Sequence, residues 1–367
     1  MEKVNDKKQS LTVLSCFDWS VPGTTELICE SAYFAKMPCY HFSKPTSIFK
    51  PRTVFKGEEK KGCLRKRLLI FGTSFVKSKT LSKIQNAFVI RQIKNSYPGR
   101  SYKNSTLIYN NLESIIGVLP RLKKMYKKVI YLCLDYTDLG EDFMNNTSLA
   151  DEILVIPKSM IGEIENIYGD KTKQFPQLTS TYIPTNQKSK KVEELLKKIP
   201  SPRIIYTGNL KNRIDENLYA KVTNEMRECS FVSFHDNSFH RHHNIFQLPW
   251  LQKDEVFSLL EESSAGFMPY DTRVKHNLHC VPLKLFEYFQ LGMPVVSTNL
   301  VNIKNLEPLL RIGENAEELI GHLRNSLGEK LDCTLGQKRK LVGEKHSTKN
   351  QTERVKAIAL GVSPHDS

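Results

Sequence analysis

Short apolar runs alternate with longer amphipathic segments along most of the chain, and the run at 128–134 (KVIYLCL) is the clearest of them. The runs predict strands at 11–17, 39–42, 68–71, 106–109, 128–134, 153–156, 204–207, 231–234, 245–248, 265–269 and 294–298. The amphipathic segments predict helices at 26–36, 113–128, 158–168, 215–227, 253–262, 282–291 and 316–327, and one long or broken helix at 338–360. Alternation of this kind predicts an α/β fold, with a parallel sheet covered by helices on both faces.

The alternation is interrupted once, by the polar stretch 185–191 (TNQKSKK), and then starts again. The chain has 367 residues, and at roughly 150 residues per domain this length favours two domains. We therefore predict two Rossmann-like domains facing a cleft, the first spanning residues 1–197 and the second 198–340. In open sheets of this type ligands bind outside the carboxyl ends of the strands.

The chain is strongly basic, with a formal net charge of +15. Such a field favours an anionic partner, which can be a nucleic acid, an acidic membrane face or a phosphorylated substrate. Two runs concentrate the charge, 56–67 (KGEEKKGCLRKR) and 121–128 (RLKKMYKK). They are either a solvated surface or a patch for an anionic membrane leaflet, where each basic residue contributes about 1 kcal/mol.

The cysteines and the first residues of the chain indicate the cellular compartment of the protein. None of the 8 cysteines forms a Cys-x-x-Cys pair, and Cys16 and Cys133 lie in strand-like runs. We interpret them as reduced thiols of a cytosolic protein rather than as a disulfide or zinc framework. The polar start lacks the apolar region of a signal peptide, and no apolar run is long enough to predict a membrane-spanning helix.

The segment 282–291 predicts a helix that carries a lysine and a glutamate within an otherwise apolar pattern. Pro282 fits the first turn, Gly292 ends the helix, and Pro294 prevents its continuation. Lys284 and Glu287 are three residues apart and therefore share one face. These two charges are either an exposed pair within the helix, worth about 0.2–0.5 kcal/mol, or part of a binding site.

The binding-site alternative suits a nucleoside diphosphate. Free N–H groups and the helix dipole favour an anion at a helix start, and Lys284 could hold a phosphate there as a point charge. Glu287, one turn further in, could accept hydrogen bonds from two vicinal hydroxyls, such as those of a ribose.

The second half of the chain resembles the donor domain of GT-B glycosyltransferases. It is especially similar to the bacterial branch that builds surface polysaccharides, including its glucuronosyltransferases. The matching motifs are 206–210 (YTGNL), 213–215 (RID), 244–246 (NIF), 265–270 (AGFMPY), 282–288 (PLKLFEY) and 292–298 (GMPVVST). The resemblance covers about residues 203–325 and is weaker over the first half. In this fold the tail, 341–367, would form a helix that returns to the first domain.

The resemblance implies transfer of a sugar, hexosyl or glucuronosyl, from a UDP-linked nucleotide sugar to a glycan or lipid-linked acceptor in surface polysaccharide synthesis. Such a protein would be cytoplasmic and peripheral at the inner face of the membrane. In the donor site, Gly208 would let the backbone approach the diphosphate, and Arg213 would pair with that group. Lys284 would hold a phosphate and Glu287 the ribose. The implied donor-binding set is completed by Tyr270, which would pack against the base or sugar, and Leu283.

The resemblance also implies an aspartate in the first domain that deprotonates the acceptor hydroxyl in an inverting enzyme. Asp135 is the first candidate and Asp18 the second, since each follows a predicted strand; the alternative for each is a turn or helix-capping residue. Many retaining relatives carry a glutamate eight positions before Glu287, where this chain has His279. This departure favours an inverting reaction.

No metal or other cofactor is expected, because the chain has no Asp-x-Asp pair. The histidines between 235 and 243 lack acidic or cysteine partners at fixed spacing, so a polar loop is favoured over a metal site; they are His235, His240, His242 and His243. Two further functions stay open. The net charge could direct the same chemistry to DNA bases, and a relative without catalysis could bind nucleotides or glycans only.

Overall fold

The computed structural model describes residues 9–15, 23–47, 58–60, 62–71, 78–97, 102–184, 189–208, 210–234, 243–329 and 333–362. The chain divides into two compact units, one of Met1–Leu178 with Thr348–Ser367 and one of Thr179–Ser347. The predicted boundaries lie at 197/198 and 340/341. Val192, which precedes the first of them, is buried in the hydrophobic core of the second unit.

The strands of the first unit are Ser10–Leu14 (β1), Cys39–Ser47 (β2), Glu58–Lys60 (β3), Cys63–Ile70 (β4), Ser105–Tyr109 (β5), Lys128–Cys133 (β6), Glu152–Val155 (β7) and Thr172–Gln174 (β8). Those of the second unit are Arg203–Ile205 (β9), Ser230–Phe234 (β10), Ile245–Leu248 (β11), Ala265–Met268 (β12), Val295–Thr298 (β13) and Arg311–Gly313 (β14). Several are buried along their whole length, as in a sheet covered on both faces.

The helices alternate with these strands. They are Thr24–Phe34 (α1), Lys79–Lys94 (α2), Leu119–Met125 (α3), Glu141–Thr147 (α4), Ile161–Tyr168 (α5), Lys190–Leu196 (α6), Glu216–Glu225 (α7), Lys253–Glu261 (α8), Lys275–Leu278 (α9), Leu283–Gln290 (α10), Ala316–Leu327 (α11), Thr334–Lys345 (α12) and Thr352–Leu360 (α13). Among the described helices, none combines the length and the apolar character that a membrane crossing requires.

Both sheets have the doubly wound strand order of Rossmann-like folds. The second is β11-β10-β9-β12-β13-β14, with every neighbouring pair parallel. The first is β3-β4-β2-β1-β5-β6-β7-β8, and only the β3–β4 pair among its described strands is antiparallel. The order reverses between β9 and β12, and between β1 and β5, which places the ligand-binding switch points at these two positions.

Helix α10 is held tightly against its sheet and against α12. A Cβ on Gly266 in β12 would lie 2.5 Å from the ring of Tyr288, so the missing side chain lets the helix approach the strand. On the other side, a Cβ on Gly343 of α12 would lie 2.4 Å from the backbone nitrogen of Gln290. These two contacts hold the second half of α10 close to β12 and α12.

The predicted α/β fold with parallel sheets is confirmed, and two predicted helices differ in detail. The helix at 113–128 is a 3-10 segment, Glu113–Val118, followed by α3, because Ile115 has non-helical backbone angles. The tail forms two helices, α12 and α13, which is the broken form of the predicted segment with an earlier start. Helix α12 packs on α10, whereas α13 lies in the first unit, where the Thr106 hydroxyl donates to the Ala359 carbonyl at 2.8 Å.

Candidate functional site

The candidate site lies at the carboxyl edge of the second sheet, at its switch point. Residues 206–208 follow β9, and Pro269 and Tyr270 follow β12, the two strands where the order reverses. The two loops are joined, because Tyr270 and Ile214 form an antiparallel bridge and the Asp215 N–H donates to the Pro269 carbonyl at 2.9 Å. The motifs therefore converge where doubly wound sheets bind ligands.

Lys284, in the first turn of α10, lies against two aromatic rings. Its Nζ is 3.4 Å from the ring centroid of Tyr206 and 5.6 Å from that of Tyr270, and both rings are buried. An ammonium group is attracted to an aromatic face at such distances. Tyr206 therefore shares the site, although the sequence analysis gave it no role of its own.

Gly208 lies beside the Lys284 side chain. A Cβ at this position would be 2.9 Å from Nζ. The φ angle of Gly208 is +131°, a conformation that glycine adopts at no steric cost. Glycine is thus required both by the backbone and by the close approach of the lysine.

The environment of Lys284 disfavours its charged form. Burial lowers the pKa of its ammonium to about 7, the charge of Arg213 acts in the same direction, and Cys280 and Glu287 act in the opposite one. Within the described part of the chain, no carboxylate lies at ion-pair distance from Nζ. A bound anion would supply the missing counter-charge.

Arg213 adds a second cation to this edge. Its Nη1 donates to Oδ1 of Asn277 at 3.3 Å. The buried Asn277 amide is itself fixed, because it donates to the carbonyl oxygens of Asn212, Arg213 and Asp271 at 3.2–3.3 Å. The guanidinium is therefore positioned on the edge of the sheet that Lys284 occupies, and the two like charges favour an anion between them.

Glu287 is only 2% exposed, which excludes the alternative of an exposed intrahelical pair. Its Oε1 lies 2.6 Å from Nζ of Lys253, the first residue of α8. Lys284 and Glu287 thus share a helix but do not pair with one another. Lys253 was not predicted, and no sequence signal distinguishes it from the other lysines, since it is 34 positions away from Glu287.

Trp250 is a third residue, after Tyr206 and Lys253, that the sequence pattern did not predict. It follows β11 at the carboxyl edge of the same sheet and is 59% exposed. Its indole stacks on Phe234, with the ring centroids 6.1 Å apart and the planes 7° apart. An exposed indole can stack on a flat ring.

The remaining predicted residues are distributed as follows. Leu283 is the half-buried first residue of α10, and His279 ends α9, where its carbonyl accepts from the Asn302 amide at 2.6 Å. Asp135 lies in the first unit, half-buried and two residues beyond β6, and its carbonyl accepts from the Cys133 thiol at 3.5 Å. Asp18 lies outside the described residues, as do three of the clustered histidines: His235, His240 and His242.

No protein-family model matches the sequence, and a comparison with curated proteins finds no match. Solved structures, however, share the fold over nearly the whole chain. The Anabaena protein Alr3699/HepE in complex with UDP-glucose has a TM-score of 0.69 at 10% identity, covering 95% of this chain and 99% of that chain.

Two further structures extend the likeness. Sucrose-phosphate synthase from Thermosynechococcus elongatus gives a TM-score of 0.60 at 13% identity, covering 96% of this chain and 95% of that one. A UDP-forming α,α-trehalose-phosphate synthase from Burkholderia xenovorans, in complex with glucose-6-phosphate, gives a TM-score of 0.60 at 9% identity, covering 95% of this chain and 100% of that one. At these identities the likeness establishes the fold, which is the GT-B fold of two-domain glycosyltransferases.

Proposed function

We propose that this chain is a glycosyltransferase that takes its sugar from a nucleotide sugar, with UDP as the nucleotide. The observation that carries the proposal is the convergence of Lys284, Arg213 and Gly208 at the switch point of the second sheet, with a buried Glu287 one turn behind Lys284. The UDP-glucose bound to the similar Anabaena protein supports the choice of donor.

The diphosphate is the group that the site is proposed to hold. Lys284 and Arg213 supply positive charge, and the free N–H groups at the start of α10 supply hydrogen-bond donors. Binding to the anion raises the pKa of Lys284, and the ammonium moves from the Tyr206 ring to the phosphate oxygens. The same contacts stabilise the charge that develops on UDP as it leaves.

The nucleoside is proposed to bind between Glu287 and Trp250. Lys253 donates to one oxygen of the Glu287 carboxylate, which leaves the other oxygen to accept hydrogen bonds from the ribose hydroxyls. Trp250, exposed at the same edge, offers a face for the base. Tyr270, which is buried beside Tyr206, contributes to the wall beneath the diphosphate.

For the transfer step we propose an inverting displacement. The acceptor hydroxyl attacks the anomeric carbon, the bond to UDP breaks, and the hydroxyl proton passes to an aspartate, with Asp135 as first candidate and Asp18 as second. Asp135→Asn should lower turnover by about 10²–10⁴-fold and leave UDP-glucose binding unchanged. NMR of the product tests the stereochemistry, and a retained anomeric configuration would contradict the inverting reaction.

A thermal-shift screen of nucleotide sugars tests the donor. A ligand at 100 times its dissociation constant stabilises the folded state by about 2.7 kcal/mol, so the true donor should raise the melting temperature clearly. Lys284→Met should remove that rise while the unliganded melting temperature stays within a few degrees. Release of UDP from the selected donor then separates an enzyme from a binding protein, and no release with any acceptor would contradict the proposed activity.

We propose that the acceptor is a growing glycan or a lipid-linked glycan in surface polysaccharide synthesis, reached from the cytoplasm at the inner membrane face. The net charge of +15 supports an anionic surface as partner. The same charge supports DNA as a second candidate acceptor. Gel retardation at low and moderate salt separates the two, because contacts to DNA phosphates give steep salt dependence.

A further inference from the structure

Three cysteines that are distant in sequence meet in the interior of the first unit. Cys29 on α1, Cys39 on β2 and Cys63 on β4 are 1%, 3% and 1% exposed, and their Sγ atoms all lie within 4.8 Å of one another. Cys39 and Cys63 begin their strands and are direct partners in the parallel pair. This cysteine trio therefore lies at the amino edge of the sheet, opposite to the edge where ligand sites of such sheets occur.

Charged groups surround the trio on the same faces. His41 and Arg65 are the next paired positions along β2 and β4, two residues beyond Cys39 and Cys63. The Arg65 guanidinium donates to Glu26, which lies three residues before Cys29 on α1. Since residues two apart on a strand and three apart on a helix share a face, these groups lie next to the thiols.

His41 is 1% exposed, and within the described part of the chain neither of its ring nitrogens has a hydrogen-bond partner. Its Nδ1 lies 3.6 Å from Oε2 of Glu26. A buried imidazole without hydrogen bonds is costly. It points to a ligand that the protein chain alone does not provide.

We infer that Cys29, Cys39 and Cys63 form a buried thiolate site for Zn²⁺, separate from the donor site. His41 lies outside the group of ligand atoms within 4.8 Å of one another and would have to move towards the thiols to become a fourth ligand. Zn–S bonds of about 2.3 Å in a tetrahedral site place sulfur atoms about 3.8 Å apart, so the trio needs only a small contraction. Each thiol loses its proton to solvent and forms a bond to the metal, and no electron is transferred.

The charges also suit a divalent ion. Three thiolates and Zn²⁺ together carry one negative charge instead of the three of the free thiolates, and the Arg65–Glu26 pair beside them adds no net charge. The three cysteines are at most 3% exposed, and structural zinc sites are closed in this way, whereas catalytic sites keep an open position. The role of this zinc site is to clamp α1 to β2 and β4 in the first unit, and metal binding then contributes directly to folding.

The full-length chain, purified without chelators, tests the inference. Elemental analysis should give about one zinc per chain. After the metal is replaced by Cd²⁺, the ultraviolet charge-transfer band of cadmium thiolate should appear at the same stoichiometry. That band distinguishes the trio from zinc held by surface histidines, which give no thiolate signal. The variant with serine at positions 29, 39 and 63 should lose both signals.

Cys133→Ser is the matched control, since Cys133 is another buried thiol of the first unit outside the trio, and it should keep both signals. If the triple variant does not fold, Cys29→Ser alone and X-ray absorption on the unaltered chain decide the question. Absence of stoichiometric zinc together with absence of the cadmium band would overturn the inference. So would an intact mass showing a disulfide between two of the three cysteines.

Discussion

We predict that Lys284 makes the binding of a nucleotide sugar depend on pH between 7 and 9, a range where the diphosphate of the ligand does not titrate. Burial lowers the pKa of this lysine to about 7 in the empty site, so it is neutral in most molecules at higher pH. In the proposed site, the diphosphate of UDP-glucose would bind the ammonium form. Binding above pH 7 must therefore include the uptake of a proton.

The size of the change in affinity follows from the fraction of molecules in which Lys284 is protonated. With a pKa of about 7, this fraction falls from about one half at pH 7 to about one hundredth at pH 9. If only the protonated form binds, the apparent dissociation constant rises by up to about 50-fold over this range, or about 2.3 kcal/mol. The two tyrosines in contact with the ammonium do not interfere, because burial raises the pKa of Tyr206 and Tyr270 above their ordinary values.

Isothermal titration calorimetry with UDP-glucose measures both quantities. Affinity should fall from pH 7 to pH 9, and titrations in two buffers with different ionisation enthalpies should show proton uptake that approaches one per site. Lys284→Met should bind weakly at every pH without uptake, whereas Lys304→Met, which removes an exposed lysine of the second unit, should keep both the fall in affinity and the proton uptake. Equal affinity at pH 7 and pH 9 in the unaltered chain would refute the role of this lysine.

Three further predictions concern stability. The pKa of Lys284 in the folded state lies below its ordinary value, so between these two values the unfolded chain binds one proton more than the folded chain. The contribution of Lys284 to the free energy of unfolding should therefore rise with pH above 7. Urea unfolding of the unaltered chain and of Lys284→Met at several pH values checks this difference. Glu287→Gln should cost about 1.5–3 kcal/mol, and a double-mutant cycle with Lys253→Met should show coupling, whereas additive losses would contradict the pair. Gly343→Ala should destabilise by about 1–3 kcal/mol because its Cβ would meet the backbone of α10, while Gly321→Ala, on α11 with open space around its Cβ, should be neutral or stabilising.

The fold could be predicted from the sequence largely because parallel sheets covered on both faces are made of continuous apolar runs. The strand at 245–248 and the helix at 316–327 have the bounds that the pattern predicts. The short edge strands β8 (TKQ) and β14 (RIG) were not predicted, because their mixed residues carry no periodic signal. They form through pairing with a neighbouring strand, which local sequence does not encode.

Residues of the candidate site could be predicted only where a local sequence motif marks them. Lys284 and Glu287 stand out because a helix with an apolar pattern carries two charges. Lys253 lies in none of the quoted motifs. Tyr206 lies in one of them, but its contact with Lys284 on α10 exists only in the folded sheet. The cysteine trio was still less predictable from the sequence. Its spacing has no Cys-x-x-Cys signature, and the thiols meet only because the strands that carry two of them pair.

The most direct test of the central claim is a crystal structure of the chain with UDP bound. We expect the diphosphate at the start of α10, within hydrogen-bond distance of Lys284 Nζ and beside Gly208, with the ribose hydroxyls on Glu287. UDP bound away from the carboxyl edge of β9 and β12, with Lys284 still against the Tyr206 ring, would contradict the account.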